Sequence, residues 1–236
     1  MKLALESAVF LRRYKRFLAD VKLKDGSEMT VHCPNSGSMK TLLNPGVKCQ
    51  IIKSPNPNRK YPYTLTTLNL PKKGRALVDT QLPNQLVYEA ILAGDVPELG
   101  AFSKIKREVP YGVENKSRID ILLTQEDGSL CYIEIKNCTM LSDTHKTRAD
   151  FPDSVTTRGQ KHLRELGLLA HKGIRAVQFF LVSRTDCNSC GIADYIDKAY
   201  ADELRNAMSL GVEVIAYNCS FTPKNIKCKS PIPFVF

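Results

Sequence analysis

The sequence has no tryptophan among its 236 residues, and it shows no low-complexity tract and no internal repeat. The lack of a repeat excludes solenoid and propeller arrays, which need self-similarity at a fixed period. No stretch approaches the roughly 18 apolar residues of a membrane span. The opening "MKLALESAVFLRRYKRFLAD" lacks the order of a secretory signal. Glu6 interrupts the apolar run, the strongest basic cluster follows that run, and no small-residue cleavage site appears. The expectation is a cytoplasmic protein with no membrane partner. Cysteine pairing is also sparse. Cys33, Cys49, Cys131, Cys138, Cys219 and Cys228 are scattered, several within apolar strand-like segments, where free thiols act as small hydrophobes. The one close pair, Cys187 and Cys190 in "CNSC", has no second pair at zinc-site spacing. Acidic charge is in deficit: 24 Asp and Glu face 34 Lys and Arg, a net charge of +10. That balance favours an anionic partner, nucleic acid above all. Hydrophobic residues at 43% and charged residues at 25% are enough to build an ordinary core.

Residues 1–80 read as short strands between polar turns. "RFLADVKL", "EMTVHC", "KCQIIKS", "YTLTTLNL" and "RALVDT" are strand-like. Asp25-Gly26, "CPNSGS", "NPG" and "SPNPNRKYP" separate them. Such a series predicts a small β-barrel, of which the oligonucleotide-binding (OB) barrel is one type. From Leu82 the pattern changes. "LPNQLVYEAILAG" predicts a helix, with Asn84 as N-cap, Gly94 as stop and a body apolar nearly all round, hence buried. Three strands follow: "SKIKREVPYG", "SRIDILLT" and "LCYIEIKN", the last two joined by Asp127-Gly128. After the polar loop "SDTHKTRADFP" come a helix over about Ser154 to Lys172, the strand "AVQFFLVS", the helix "ADYIDKAYADELRNAMSLG" and the strand "VEVIAYN". This order predicts a mixed sheet with helices on its faces across residues 81–236.

The segment "IEIK" carries the sharpest chemical signal. Side chains alternate along a strand, so Glu134 and Lys136 share one face and Ile133 and Ile135 the other. The isoleucines suit a packed helix layer. Asp120, across the hairpin, can join the charged pair. Two carboxylates converging on one face repel unless a cation lies between them, and hard divalent ions such as Mg²⁺ bind that way. A neighbouring lysine would steady hydroxide or offset charge building on a phosphate. The set is suited to metal-assisted phosphodiester hydrolysis. As a bare string, Glu-x-Lys equally describes a solvated strand face.

The Asp120…Glu134-x-Lys136 pattern in this setting resembles the PD-(D/E)xK nuclease core, with Ile119 in place of the motif's proline. Pro152-Asp153 spells "PD" but follows the Glu-x-Lys. The chain more closely resembles the sugar fermentation stimulation protein A family. "RRYKRFLADV", "VHCPNSGSMKTLLNPG", "LPNQLVYEAI", "RIDILL", "YIEIKNCTM", "FPDSVTTRGQKHLREL" and "GVEVIAY" match its pattern in order, from Arg12 to Tyr217. The resemblance implies an N-terminal OB-like small β-barrel over 1–80, a nuclease-like αβββαβ domain over 81–236, DNA binding, and a link to sugar-utilisation genes. It also implies Mg²⁺ or Mn²⁺ held by Asp120 and Glu134. Glu89, on the first helix, would complete the metal site or else reach water at the helix edge. Gln160 and Lys161 stand where nuclease relatives keep an auxiliary polar group, and Lys161 is the one better able to touch phosphate.

The second helix shows two faces. Gly159, Leu163, Leu166 and Ala170 follow helical spacing, while Arg158, Lys161, His162 and Glu165 share the other side. A basic face there would hold a phosphate, whereas His162 also suits a hydrogen-bonded core position. Near the N-terminus, Arg12, Arg13, Lys15 and Arg16 alternate with Tyr14 and Phe17, a composition suited to single strands and equally to a strand with basic outer residues. Asn35, Ser36 and Ser38 lie in "CPNSGS", which can cradle a phosphate or simply turn the chain. Arg59, Lys60, Lys72, Lys73 and Arg75 add charge on further loops. Two functions compete: a Mg²⁺-dependent nuclease gripping single- or double-stranded DNA, and a non-catalytic DNA-binding regulator of sugar-metabolism genes on a nuclease scaffold. A protein-interaction module with an acidic partner is a more distant third.

Overall fold

A computed structural model of the chain describes residues 3–71, 74–112, 114, 116–223 and 225–236. Lys72 and Lys73 lie outside the described residues. The chain opens with β1 (Leu5–Tyr14), β2 (Leu18–Lys22), β3 (Glu28–His32), β4 (Lys48–Lys53), β5 (Tyr63–Asn69) and β6 (Arg75–Leu77). The first helix, α1 (Pro83–Leu92), leads to β7 (Phe102–Tyr111), β8 (Ser117–Gln125) and β9 (Leu130–Cys138). Two short strands, β10 (Met140–Leu141) and β11 (Arg148–Phe151), precede α2 (Thr157–His171) and β12 (Arg175–Val182). The chain ends with β13 (Ser189–Ile192), α3 (Lys198–Ser209), β14 (Glu213–Phe221), β15 (Ile226–Pro231) and β16 (Phe234–Val235).

The N-terminal strands pair in the order β3-β2-β1-β4-β5-β6 around a core that includes Phe10, Val21, Val31, Ile51 and Leu65. This corrects the expected small barrel. The sheet curls, but β3 meets β5 at a single registered pair, His32 and Thr64, so it is an OB-like sheet and not a closed barrel. The strand β1 also extends the expected set. Its basic end folds over in a turn at Lys15 and Arg16, both in left-handed backbone (φ 46° and 62°).

The C-terminal sheet runs β15-β14-β12-β9-β8-β7, with β12 parallel to β9 and β14 and the other pairs antiparallel. Alternation along each strand divides its side chains between two cores. Ile121, Ile133, Ile135 and Phe179 pack with Leu86, Val87, Ala90 and Ile91 of α1. Cys138, Phe180 and Ala216 pack with Leu163 and Leu166 of α2 and Tyr200 and Leu204 of α3. Each such aliphatic side chain contributes about 1.5–3 kcal/mol on full burial. The first helix is buried on one side only, since Leu92 remains 53% exposed. Its N-cap position is Leu82. Asn84 instead sits in the first turn and donates to Asp120 at 2.6 Å. Gly94, at φ +75°, ends the helix as expected.

A small sheet, β10-β11-β13-β16, was not foreseen. Part of it lies in the segment read as a polar loop. Its charges are internal to the fold: Arg148 donates to the buried Asp150 through two nitrogens, at 2.6 and 3.1 Å, so their polarity hid a strand. The N-terminal sheet is tied to the C-terminal one at β6, where Leu77 N–H donates to Ser183 O at 2.8 Å and Thr185 N–H to Arg75 O at 3.0 Å. The fully buried Arg184 adds a link, donating to Thr41 Oγ1 at 3.1 Å and Thr139 O at 2.7 Å while pairing with Asp186.

Candidate functional site

Between the OB-like sheet and the C-terminal ends of β9 and β11 lies a cleft of about 420 Å³. One wall is the "CPNSGS" loop with Asn35, Ser36 and Gly37; the floor carries Asp120, Glu134 and Lys136; Arg158 and His162 come from α2. The loop is set by its own hydrogen bonds. Asn35 is buried, its Oδ1 accepting from Gly37 N–H at 2.8 Å and its Nδ2 donating to Val78 O at 3.2 Å. The absence of a Cβ at Gly37 lets the Asp153 carboxylate approach the loop, and a side chain there would displace it. Asp153 in turn accepts from Met39 N–H at 3.3 Å. The "PD" pair outside the nuclease pattern is thus a contact between the two halves of the chain. Ser36 is exposed, and Ser38 Oγ is buried without a hydrogen-bond partner among the described residues.

The β8–β9 ladder runs to the pair Ile121–Ile133, so continuing its register sets Asp120 opposite Glu134. Both carboxyls line the cleft, and their environments drive them apart. Burial, reinforced by the Glu134 charge, pushes the Asp120 carboxyl up to about 7. Asp120 Oδ2 accepts from Ile135 N–H at 2.7 Å and Oδ1 from Asn84. Glu134 is held below its ordinary range. Burial raises it, but Lys136 and His162 together outweigh that effect. Lys136 Nζ donates to Glu134 Oε1 at 2.6 Å, and His162 Nδ1 hydrogen-bonds the same oxygen. Arg158 Nε donates to His162 Nε2 at 3.4 Å. His162 thus bridges Glu134 and Arg158 through its two ring nitrogens. His162 is therefore a buried, hydrogen-bonded residue, the core position also expected for it, and Glu165, placed by spacing on the basic face, is buried as well.

Glu89 does not join this group. It lies in a separate cleft with Asp95, Lys227 and Cys228, and Gln85 Nε2 donates to it at 2.9 Å. Among the described residues, no three His, Cys, Asp or Glu side chains come together so as to hold a metal ion. This corrects the expected Mg²⁺ or Mn²⁺ centre at Asp120, Glu134 and Glu89, and with it the Mg²⁺-dependent phosphodiester hydrolysis built on it. Of the four carboxyl oxygens, Glu134 Oε1 is taken by Lys136 and His162 and each Asp120 oxygen accepts an N–H, which leaves the buried Glu134 Oε2 without a hydrogen-bond partner among the described residues; one open oxygen is not a donor set for the ion. Gln160 is likewise committed elsewhere, donating to Asp197 at 2.9 Å beside the cap of α3.

The basic residues divide into fastened and free. Arg13 is structural: its guanidinium donates to the carbonyls of Asn35, Arg16, Gly37 and Ser38 at 2.6, 2.9, 3.0 and 3.3 Å. Arg12 is exposed and pairs with Asp20 at 2.8 Å. Lys15 and Arg16 are exposed at the turn, Arg16 donating to Ser36 O at 3.2 Å. Arg158 is exposed at the cleft's far side, and Lys161 is half-exposed with Glu165 at 3.6 Å. Spacing had not singled out Arg118, which shares a depression with Arg158 and Lys161. Its signal was present, because Arg118 stands two residues before Asp120 and so on the same strand face.

An OB-like sheet packed against a mixed α/β sheet of nuclease type defines a class of proteins consistent with nucleic-acid binding. Residues 11–78 match the SfsA N-terminal OB domain, and residues 81–225 match the sugar fermentation stimulation protein RE domain. The chain belongs to the sugar fermentation stimulation protein family. It is 46% identical over 230 residues to the sugar fermentation stimulation protein homolog of Shewanella sp. (strain W3-18-1), covering 98% of this chain and 97% of that one. It is 47% identical over 222 residues to the homolog of Shewanella baltica (strain OS155 / ATCC BAA-1091), covering 94% and 93%. A solved structure of Pyrococcus furiosus SfsA in complex with Ca2+ superposes over 100% of this chain and 98% of that one, with a TM-score of 0.88 and 26% identity.

Proposed function

We propose that the protein is a DNA-binding regulator of sugar-utilisation genes, using a nuclease-like scaffold without hydrolysing its target. In this reading residues 1–80 form the gripping half, and residues 81–236 supply the second wall of the cleft. The family's name supports the link to sugar genes. The observation that carries the reading is the internal commitment of the acid pair. Glu134 is neutralised by Lys136 at 2.6 Å and bridged to α2 by His162, so the cleft floor is nearly charge-balanced while exposed cations flank it. Such a surface attracts phosphates by counterion release and needs no reaction centre.

The test is binding of single- and double-stranded DNA across roughly 50 to 200 mM salt, with parallel incubation in Mg²⁺ or Mn²⁺. The expected result is a steep loss of affinity with salt and intact DNA throughout. Cleavage by the unaltered protein that both Glu134→Ala and Lys136→Ala lose would overturn the reading. Salt-insensitive association, or none, would remove DNA as the partner.

A further inference from the structure

The cleft is the middle of three depressions. One on the N-terminal sheet, about 400 Å³, is lined by Arg13, Tyr14 and Arg16, and it shares Ser36, Gly37 and Ser154 with the central cleft. Another of about 400 Å³, at the edge of the C-terminal sheet, contains Arg118 and Lys161 and shares Arg158 and His162 with the same cleft. Depressions that share walls in this way adjoin one another, in the order N-terminal sheet, cleft, C-terminal sheet edge. We infer that this row is the path of a single nucleic-acid strand, which enters over Arg16 and Phe17, crosses the interdomain cleft and leaves over Arg158, Lys161 and Arg118. The inference rests on the DNA-binding reading above and specifies its strandedness and route.

Three observations carry it. The first is scale. A cleft of about 420 Å³ is in the range that takes one small ligand. A duplex could only lie across the mouth of such a cleft, whereas a single strand can enter it. The second is charge order, with cations at both ends and carboxyls between. Two of the four acids lining the cleft are cancelled, Glu134 by Lys136 and Asp150 by Arg148, each at 2.6 Å, which lowers the barrier to a strand. Phosphates would sit at the cationic ends. Base edges would face the middle, where the exposed Ser36 and Ser154 offer hydroxyls and Asn84 its amide oxygen. The third is an exposed aromatic next to Arg16, beside the residues that line the first depression. Phe17 is 44% exposed, with the Arg16 guanidinium 5.8 Å from its ring centroid. A ring left in solvent beside a cation is a stacking platform for a base.

The test is fluorescence anisotropy with labelled oligothymidylates of about 4 and about 16 nucleotides and a duplex of the longer length. The proteins compared are the full chain, Arg16→Ala, Lys161→Ala, their double variant, Arg16→Lys and Phe17→Ala. The long strand is expected to bind at least about tenfold tighter than the duplex. Each cation removed should lower the slope of log affinity against log salt by about 0.7, and the double variant by about 1.4. Arg16→Lys should restore the slope, which separates charge from the fold of the turn. The short strand reaches only one end at a time, so each single variant should still bind it at the other end and the double variant alone should lose it. Phe17→Ala should weaken the long strand by roughly tenfold. A duplex bound as tightly as the long strand, or a double variant no worse than either single on the long strand, would overturn the route while leaving DNA binding intact. Binding of neither nucleic acid would sink both readings.

Discussion

Replacing Asp120 by asparagine should stabilise the protein, by an amount that depends on pH. The Asp120 carboxyl is shifted from an ordinary 3.8 to about 7, first by burial and second by the Glu134 charge. The folded state therefore binds a proton that the unfolded chain has already released. For an acid raised on folding, the stabilising contribution is complete below the unfolded value, near pH 3.8, and is lost as pH rises through about 7. A rise from 3.8 to about 7 corresponds to about 4 kcal/mol of stability lost by the parent between pH 4 and pH 8. Asparagine does not titrate, and rotation of the Asn84 amide lets its oxygen meet the new NH₂ while Ile135 N–H keeps a carbonyl acceptor. Urea unfolding at a series of pH values, followed by tyrosine fluorescence or circular dichroism, should show Asp120→Asn gaining on the parent as pH rises, by up to about 4 kcal/mol. In a Glu134→Gln background the midpoint of that gain should fall but stay above 3.8, since burial is the larger cause. A stability difference flat from pH 4 to pH 8 would refute the argument.

Two further outcomes follow from the junction between the halves. Arg184→Ala should cost about 3–5 kcal/mol in chemical denaturation, because Asp186, Thr41 and the Thr139 carbonyl lose a buried cation that none of them can replace. Gly37→Ala should cost about 1–3 kcal/mol through collision with the Asp153 carboxylate. Adding Asp153→Ala should make the pair less destabilised than the two single losses combined, and simple additivity would show that the two residues do not touch.

Much of the C-terminal half was legible because periodicity and burial agree there. "IEIK" alternates, so its isoleucines met α1 and its charges met the cleft, as strand geometry requires. Where the reading failed, tertiary contacts had overridden composition. Glu165 follows the spacing of a polar helix face, yet the packing around Gly112 draws it inside. Arg148 and Asp150 suggested a loop, but their mutual pairing let that segment become a strand. Glu89 lies on the expected helix, and only the way α1 is rotated against β15 carries it to another cleft.

Local chemistry by itself determined the succession of strands and helices, the hairpin that brings Asp120 toward Glu134, and the surplus of cations that calls for a polyanion. These depend on side-chain alternation, turn residues and charge, which are properties of neighbours in the chain. Whether the acids would be open to an ion, whether the first sheet would close, and whether separate basic segments would line one face depended on contacts between different elements, from Glu134 with His162 to Met39 with Asp153. Those contacts are decided by the free energy of burying and pairing groups that meet only in the packed molecule.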